Sequence, residues 1–231
     1  MPNDIVYVLK NDISDYELKY SLRSVCKNFI FRNIWFYGGC PDTIQPDHYI
    51  DFYQLGDNKW LKTRSMYVDI FTNPEITEDF YLFNDDFYIM RPYAQDIPKT
   101  NGSLYKQIQR IEKRNYNRQS AYTKRLNVTM NMLRSKRLDI ISYETHTPFL
   151  VNRRKGMDLC REFDERYIFR STYGNIYDIG GILEKDNKLC RVDDIPPIDV
   201  DVLSSTDTTF KNGRLGEYIR AVFNEPCRYE L

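Results

Sequence analysis

The chain opens on an apolar run, Asp4-Ile5-Val6-Tyr7-Val8-Leu9, closed by Lys10-Asn11-Asp12. A run of this length bounded by a polar turn predicts a buried β-strand. From Tyr16 to Phe29 the apolar positions Leu18, Leu22, Val25 and Phe29 recur at helical spacing, and Ser14 or Asp15 stands where an N-cap belongs. A second strand follows in Asn33-Ile34-Trp35-Phe36-Tyr37-Gly38-Gly39, whose glycines permit a tight exit. Strand, helix and strand at this separation predict a parallel crossover, and with it an α/β fold.

Further along, Tyr49–Tyr53 reads as a third short strand, and Lys62–Phe71 as a helix stopped by Asn73-Pro74. Asp79-Phe80-Tyr81-Leu82-Phe83 then runs straight into Asn84-Asp85-Asp86. That is a core strand delivering acids to its carboxyl end, the edge where open α/β sheets bind ligands. Ser103–Leu138 reads as two helices with Ile108, Ile111, Leu126, Met130 and Leu133 facing inward. Thr145–Leu150 is extended or turning, because the residue before Pro148 disfavours helix. Arg153–Phe163 and Gly216–Phe223 read as further helices, with no repeat or low-complexity linker between elements. The 231 residues predict one domain, 1–231, carrying a helical insertion at about 103–138.

Composition changes this picture in a few places. Hydrophobic residues at 42% and charged residues at 29% exclude wholesale disorder. The 15% aromatic share, with nineteen Tyr, suits stacking on a ring and half-buried strand positions alike. No apolar run approaches the length of a membrane span and no signal-peptide order opens the chain, so a soluble cytoplasmic protein is expected. Five scattered Cys without zinc-site spacing read as reduced, structural thiols. Net charge is zero, yet Lys106–Arg137 holds ten bases and one acid, Glu112, leaving the rest about nine units negative. Such separation predicts one surface for a polyanion and another, rich in acids, for metal or cations.

Asp85 and Asp86 carry the candidate chemistry. Burying an unpartnered carboxylate is costly, and a hard divalent cation, Mg²⁺ or Mn²⁺, removes that cost with phosphate oxygens completing its shell. A cation so placed screens a diphosphate and stabilises charge on a leaving group. The structural alternative is a capped turn with surface acids.

Two long stretches carry a resemblance. Asp4-Ile5-Val6-Tyr7, Glu17-Leu18-Lys19-Tyr20-Ser21-Leu22-Arg23-Ser24-Val25 and Arg32-Asn33-Ile34-Trp35 together resemble the first block of the Stealth family of sugar-phosphate transferases. Pro74-Glu75-Ile76-Thr77-Glu78-Asp79-Phe80-Tyr81-Leu82-Phe83-Asn84-Asp85-Asp86-Phe87 is similar to its second block. Shorter echoes follow in order. Thr145-His146-Thr147-Pro148 and Phe169-Arg170-Ser171 resemble the third block, and Ser205-Thr206-Asp207 with Pro226-Cys227-Arg228-Tyr229-Glu230 the last.

The resemblance implies a GT-A-like, Rossmann-type fold: a mostly parallel sheet flanked by helices, here with the basic helical insertion. It implies a nucleotide-sugar donor, often UDP-linked, a divalent metal, and transfer of sugar-1-phosphate to a hydroxyl. The chain departs from the family pattern at Leu9-Lys10-Asn11-Asp12, where Trp-Val-Asp-Gly is common, and at Thr63-Arg64-Ser65, where Asn-Ser is usual. Plain glycosyl transfer therefore stays open beside sugar-phosphate transfer.

Residue by residue, Asp85 and Asp86 are the expected metal ligands. His146, whose type titrates near neutrality, is the expected general base or proton shuttle, with Asp86 and Asp207 as further catalytic residues at the metal or acceptor. Arg170, Arg23 and Asn84 are expected at the nucleotide phosphates, since a guanidinium grips phosphate in a bidentate way. Arg114, Arg118 and Lys124 are expected to bind the acceptor, either an anionic glycan or a hydroxylated base in DNA. The rival reading is a nucleic-acid-binding module without catalysis, whose acidic strand end is only structural.

Overall fold

The computed structural model describes residues 2–53, 58–93, 97–114, 116 and 118–231. Strand β1 (Asp4–Val8), helix α1 (Asp15–Asn28) and strand β2 (Ile34–Tyr37) form the expected parallel crossover. Strand β3 (His48–Ile50) pairs in parallel beyond β2, starting and ending earlier than the apolar pattern suggests. Helix α2 (Lys59–Thr72) leads back to β4 (Asp79–Phe83), which lies parallel to β1 on its other side. The α2 helix starts three residues before the predicted one because the Asn58 side chain accepts a hydrogen bond from the Trp60 amide at 2.9 Å.

The chain then leaves this sheet. Strand β5 (Phe87–Ile89) is followed by the short β6 (Lys99–Thr100) and by the helices α3 (Leu104–Arg114) and α4 (Ala121–Ser135). Strand β7 (Phe149–Asn152) returns antiparallel to β4 and completes a five-stranded sheet of order β3-β2-β1-β4-β7. Helices α5 (Arg153–Glu162) and α6 (Phe169–Ile176) come next, then β8 (Ile182–Leu183), β9 (Val202–Ser204), α7 (Asp207–Asn212) and α8 (Arg214–Val222). Strand β9 pairs antiparallel with β5, and β8 in parallel with β6.

Alternation along the strands sorts two faces. Ile5, Tyr7 and Phe83 pack with Leu18, Leu22 and Val25 of α1. Val6, Phe80 and Leu82 pack with Met66 and Ile70 of α2 and Leu159 of α5 on the other face. The sheet is thus mostly parallel and covered by helices on both faces, as a Rossmann-like arrangement requires. A third apolar cluster joins Tyr88 and Leu203 of the β5–β9 ribbon to Phe210 and Ile219 of α7 and α8.

The basic insertion has a small core of its own. Leu104, Ile108, Leu126, Met130 and Leu133 are buried against Ile168, with Ile111 half-buried beside them. All five cysteines are free thiols.

Candidate functional site

Strand order creates the site. From β1 the chain moves outward to β2 and β3 on one side, while β4 lies on the other, so the loops leaving β1 and β4 diverge and open a crevice at their carboxyl ends. A cleft of about 630 Å³ lies there, lined by Lys10 after β1 and by Asn84 and Asp85 after β4. The same cleft is lined by His146, Arg170 and Asp207, residues far apart in sequence. Asp86 lies in an adjoining cup, about 450 Å³, that shares Asn84, Asp85 and Asp207 with the cleft and adds Glu17 and Lys188.

The acids in this cup crowd one another. Burial, then the neighbouring Asp86 carboxylate, pushes Asp85 up to about 6. Burial also pushes Glu17 of α1 up to about 7, against the hydrogen bond it accepts from Ser205, with the charges of Asp85, Asp207 and Asp86 adding to the rise. Asp86 is anchored on one side only. Its Oδ2 accepts hydrogen bonds from Lys188 Nζ at 2.7 Å and Ser204 Oγ at 2.9 Å, while its buried Oδ1 has no partner.

This donor set fits a divalent cation in a particular way. Among the described residues no group of three or more His, Cys, Asp or Glu side chains is arranged to hold a metal ion. Asp85 and the unbonded Oδ1 of Asp86 are nevertheless hard oxygen donors in a cup where Lys188 pairs with only one of the acids, and Mg²⁺ binds through one or two carboxylates when phosphate oxygens and water supply the rest. The two expected ligands are therefore differently equipped: Asp86 offers one oxygen, not two, because Lys188 and Ser204 hold the other.

His146 is placed by a half-buried partner that local pattern did not single out. Its Nδ1 lies 2.8 Å from Asp186 Oδ2, and its backbone amide donates to Asp186 Oδ1 at 3.3 Å. Burial opposes charge on Asp186, yet the hydrogen bond and charge of His146 outweigh it and hold the carboxyl below its ordinary range. An ionised Asp186 can only accept, so Nδ1 carries the proton in that contact. Nε2 of the neutral ring is then left with the lone pair of a base.

Arg170, on α6, fastens this loop. Its Nη1 donates to the carbonyls of Thr145 and Thr147, each at 2.8 Å, and its guanidinium lies over the Phe149 ring at 5.2 Å. The segment before it is tied by Glu144, which accepts from the Ser171 amide and hydroxyl at 3.0 and 2.9 Å. Arg170 lines the cleft, and its Nη1 is engaged by backbone carbonyls.

Asp207 stands in the first turn of α7, behind a capping box made by Thr206 and Thr209. Arg23 lies elsewhere. It forms a paired contact with Glu230, 2.7 Å from Nε and 2.6 Å from Nη2, donates to the Phe223 carbonyl, and lines a separate groove with Cys26 and Cys227. Its guanidinium ties α1 to the C-terminal segment, which corrects the expectation that it meets the nucleotide.

Arg114, Arg118 and Lys124 are exposed and do not line the cleft. From the same basic stretch it is Tyr122 and Arg125, near the start of α4, that do.

Glu17, Lys188 and Asp186 are the residues that sequence reasoning missed. Glu17 lies inside the first resembling stretch without being singled out there, and Asp186 and Lys188 lie in the polar run Glu184-Lys185-Asp186-Asn187-Lys188. Compared with protein-family models and with curated proteins, the chain matches none.

Proposed function

We propose that this chain is a GT-A-like transferase that moves a sugar unit, as sugar or sugar phosphate, from a nucleotide sugar to a hydroxyl acceptor. One observation carries the reading: Asp85, at a crowded acidic strand end, lines one cleft with an aspartate-positioned histidine at the switch point of a mostly parallel sheet, and Asp86 lies in the cup that adjoins it. A structural acidic turn needs no histidine base beside it, and a simple binding surface needs no carboxylate with an unpartnered buried oxygen.

In this reading Asp85 and Asp86 Oδ1 would hold a divalent cation, Mn²⁺ or Mg²⁺, which would supply charge neutralisation at the departing nucleotide. Lys188 and Ser204 fix Asp86 so that its free oxygen keeps one direction. His146 Nε2 takes the proton from the acceptor hydroxyl, and Asp186 steadies the imidazolium that results. Arg170 keeps the histidine loop in register. Asn84 and Asp207, which line the cleft with Asp85, would meet the sugar or its phosphates in this reading.

The acceptor is an anionic one. Of the ten bases from Lys106 to Arg137, only Lys136 forms an ion pair among the described residues, so the α3–α4 surface, with Arg114, Arg118 and Lys124, carries uncompensated positive charge. The same surface is what favours the rival module that binds nucleic acid without catalysis.

A thermal melt separates the two. UDP with Mn²⁺ should raise the melting temperature well beyond either alone, because both ligands complete one site. Tight oligonucleotide binding with no response to UDP and Mn²⁺ would leave only the binding module.

A further inference from the structure

Nine of the ten bases between Lys106 and Arg137 are exposed; Arg125 is the exception. It turns into the cleft from α4, and its surroundings are incomplete. Nη2 donates to the Tyr167 carbonyl at 3.1 Å. The guanidinium lies over the Trp60 ring, 4.6 Å from its centre, and Lys59 Nζ lies over the same ring at 4.8 Å. Nε is buried without a hydrogen-bond partner, and no ion pair is formed with Arg125 among the described residues. Burial lowers its affinity for its proton, and Glu165, Glu144 and Asp164 only partly offset this from a distance.

A guanidinium drawn out of water, oriented by an aromatic ring and short of an acceptor is poorly satisfied unless an anion joins it. Lys59, Lys62 and Arg125 line this part of the cleft together. Trp60, already covered by cations, serves here to orient them and is not a free face for a sugar. Carboxylate and phosphate both suit a guanidinium edge, and phosphate is the one that a polyanion drawn to the α3–α4 bases would bring.

The donor's diphosphate is assigned to the Asp85 end, so a second phosphate belongs to the acceptor. Arg125 adjoins the exposed Lys124, and the α3–α4 surface also exposes Tyr105 and Tyr116 among its bases. Bases for a backbone interleaved with exposed aromatic rings suit a strand that has both phosphates and flat, unpaired rings to stack. We propose that Arg125, oriented by Trp60 and flanked by Lys59 and Lys62, is the subsite where a backbone phosphate of a single-stranded nucleic acid enters the cleft. The assignment to the acceptor rests on the transferase reading; the phosphate subsite itself does not.

The test measures fluorescence anisotropy of a labelled oligothymidylate and, separately, the melting shift caused by UDP with Mn²⁺. Arg125→Gln should weaken oligonucleotide binding about tenfold and reduce the slope of log affinity against log salt by about 0.7, the loss of one phosphate contact on a single strand. The UDP–Mn²⁺ shift should not change. Arg125→Lys, which keeps the charge but not the fork or the stack, should recover part of the affinity and guards against a folding defect in the first variant. If Arg125→Gln instead abolishes the UDP–Mn²⁺ shift and spares the oligonucleotide, the subsite belongs to the donor and the proposal fails. Unchanged binding and salt slope in both folded variants overturn it as well, leaving a tie between α4 and the loop before α6. A poly(glycerol phosphate) that binds as tightly as the oligonucleotide overturns the nucleic-acid assignment. Should the wild type ignore UDP and Mn²⁺ while the Arg125 effect on the oligonucleotide holds, the subsite stands and the transferase reading falls.

Discussion

The sheet carries an acid at each end, and the two are treated in opposite ways. Asp4, at the start of β1, is fully buried, and both of its oxygens are occupied. Oδ1 accepts from Arg32 Nε at 2.8 Å and the Asn33 amide at 3.2 Å; Oδ2 accepts from Arg32 Nη2 at 2.6 Å, Trp35 Nε1 at 3.2 Å and the Thr77 amide at 3.0 Å. Asp86, beyond the far end of β4, has one oxygen held and the other buried without a partner. A saturated carboxylate is a fastener. An unsaturated one beside other acids is a place for something the chain does not itself supply.

The largest effect expected from breaking this contrast is at Asp86. Asp86→Ala should abolish metal-dependent turnover of a UDP-sugar while changing the urea midpoint little, because Lys188 is partly exposed and can turn to water. Turnover at the wild-type rate in this variant would end the metal assignment.

His146 tests whether the cleft does chemistry or only binds. His146→Ala should slow the chemical step by a factor of about 10² to 10⁴ with little loss of donor affinity, as expected for a lost proton acceptor. An equal fall in donor binding would make it a phosphate ligand.

Asp4 supplies the opposite result. Asp4→Ala leaves a guanidinium, an indole N–H and two amides without their acceptor, and should cost about 3–5 kcal/mol of stability, read from urea denaturation. Activity per folded molecule should hold. Lost activity in a well-folded Asp4→Ala protein would show that the two ends of the sheet are coupled.

How much of this contrast was legible in the sequence depends on how local its causes are. The β1–α1–β2 crossover and the acidic end of β4 were legible because period and turn chemistry act over a few residues. So were the two basic helices, whose inward positions repeat at helical spacing. The β5–β9 ribbon was not, since Phe87 pairs with Ser204 and neither three-residue strand is long enough to show alternation. Helix α6 was hidden too, because Phe169-Arg170-Ser171 carries no strong cap. Lys188 and Asp186 lie in a polar loop, and their roles exist only after β9 and the His146 loop have folded against them. Arg23 failed for the related reason that its partner, Glu230, is 207 residues away. Residue type suggested phosphate; tertiary pairing took the guanidinium first.

The smallest effect is the pH response of the metal-free protein, and its sign distinguishes the two kinds of acid. Asp85 is raised to about 6 and Glu17 to about 7, both by burial first and by the neighbouring acids after it. Each therefore keeps a proton in the folded protein at a pH where the unfolded chain has released it. Stability should fall as pH rises from about 4 to about 7, since the native state there binds more protons than the unfolded state. Allowing for the screening that an open cup permits, a loss of about 1–2 kcal/mol is expected. Urea melts in a chelating buffer at pH 5 and pH 7.5 measure it, and Asp85→Asn should flatten the difference. Saturating Mn²⁺ should reverse the trend, because a cation favours the ionised carboxylates that repel one another without it. A protein whose stability rises over this interval without metal, or whose Asp85→Asn variant keeps the wild-type slope, would place the crowding elsewhere and remove the physical ground for distinguishing Asp86 from Asp4.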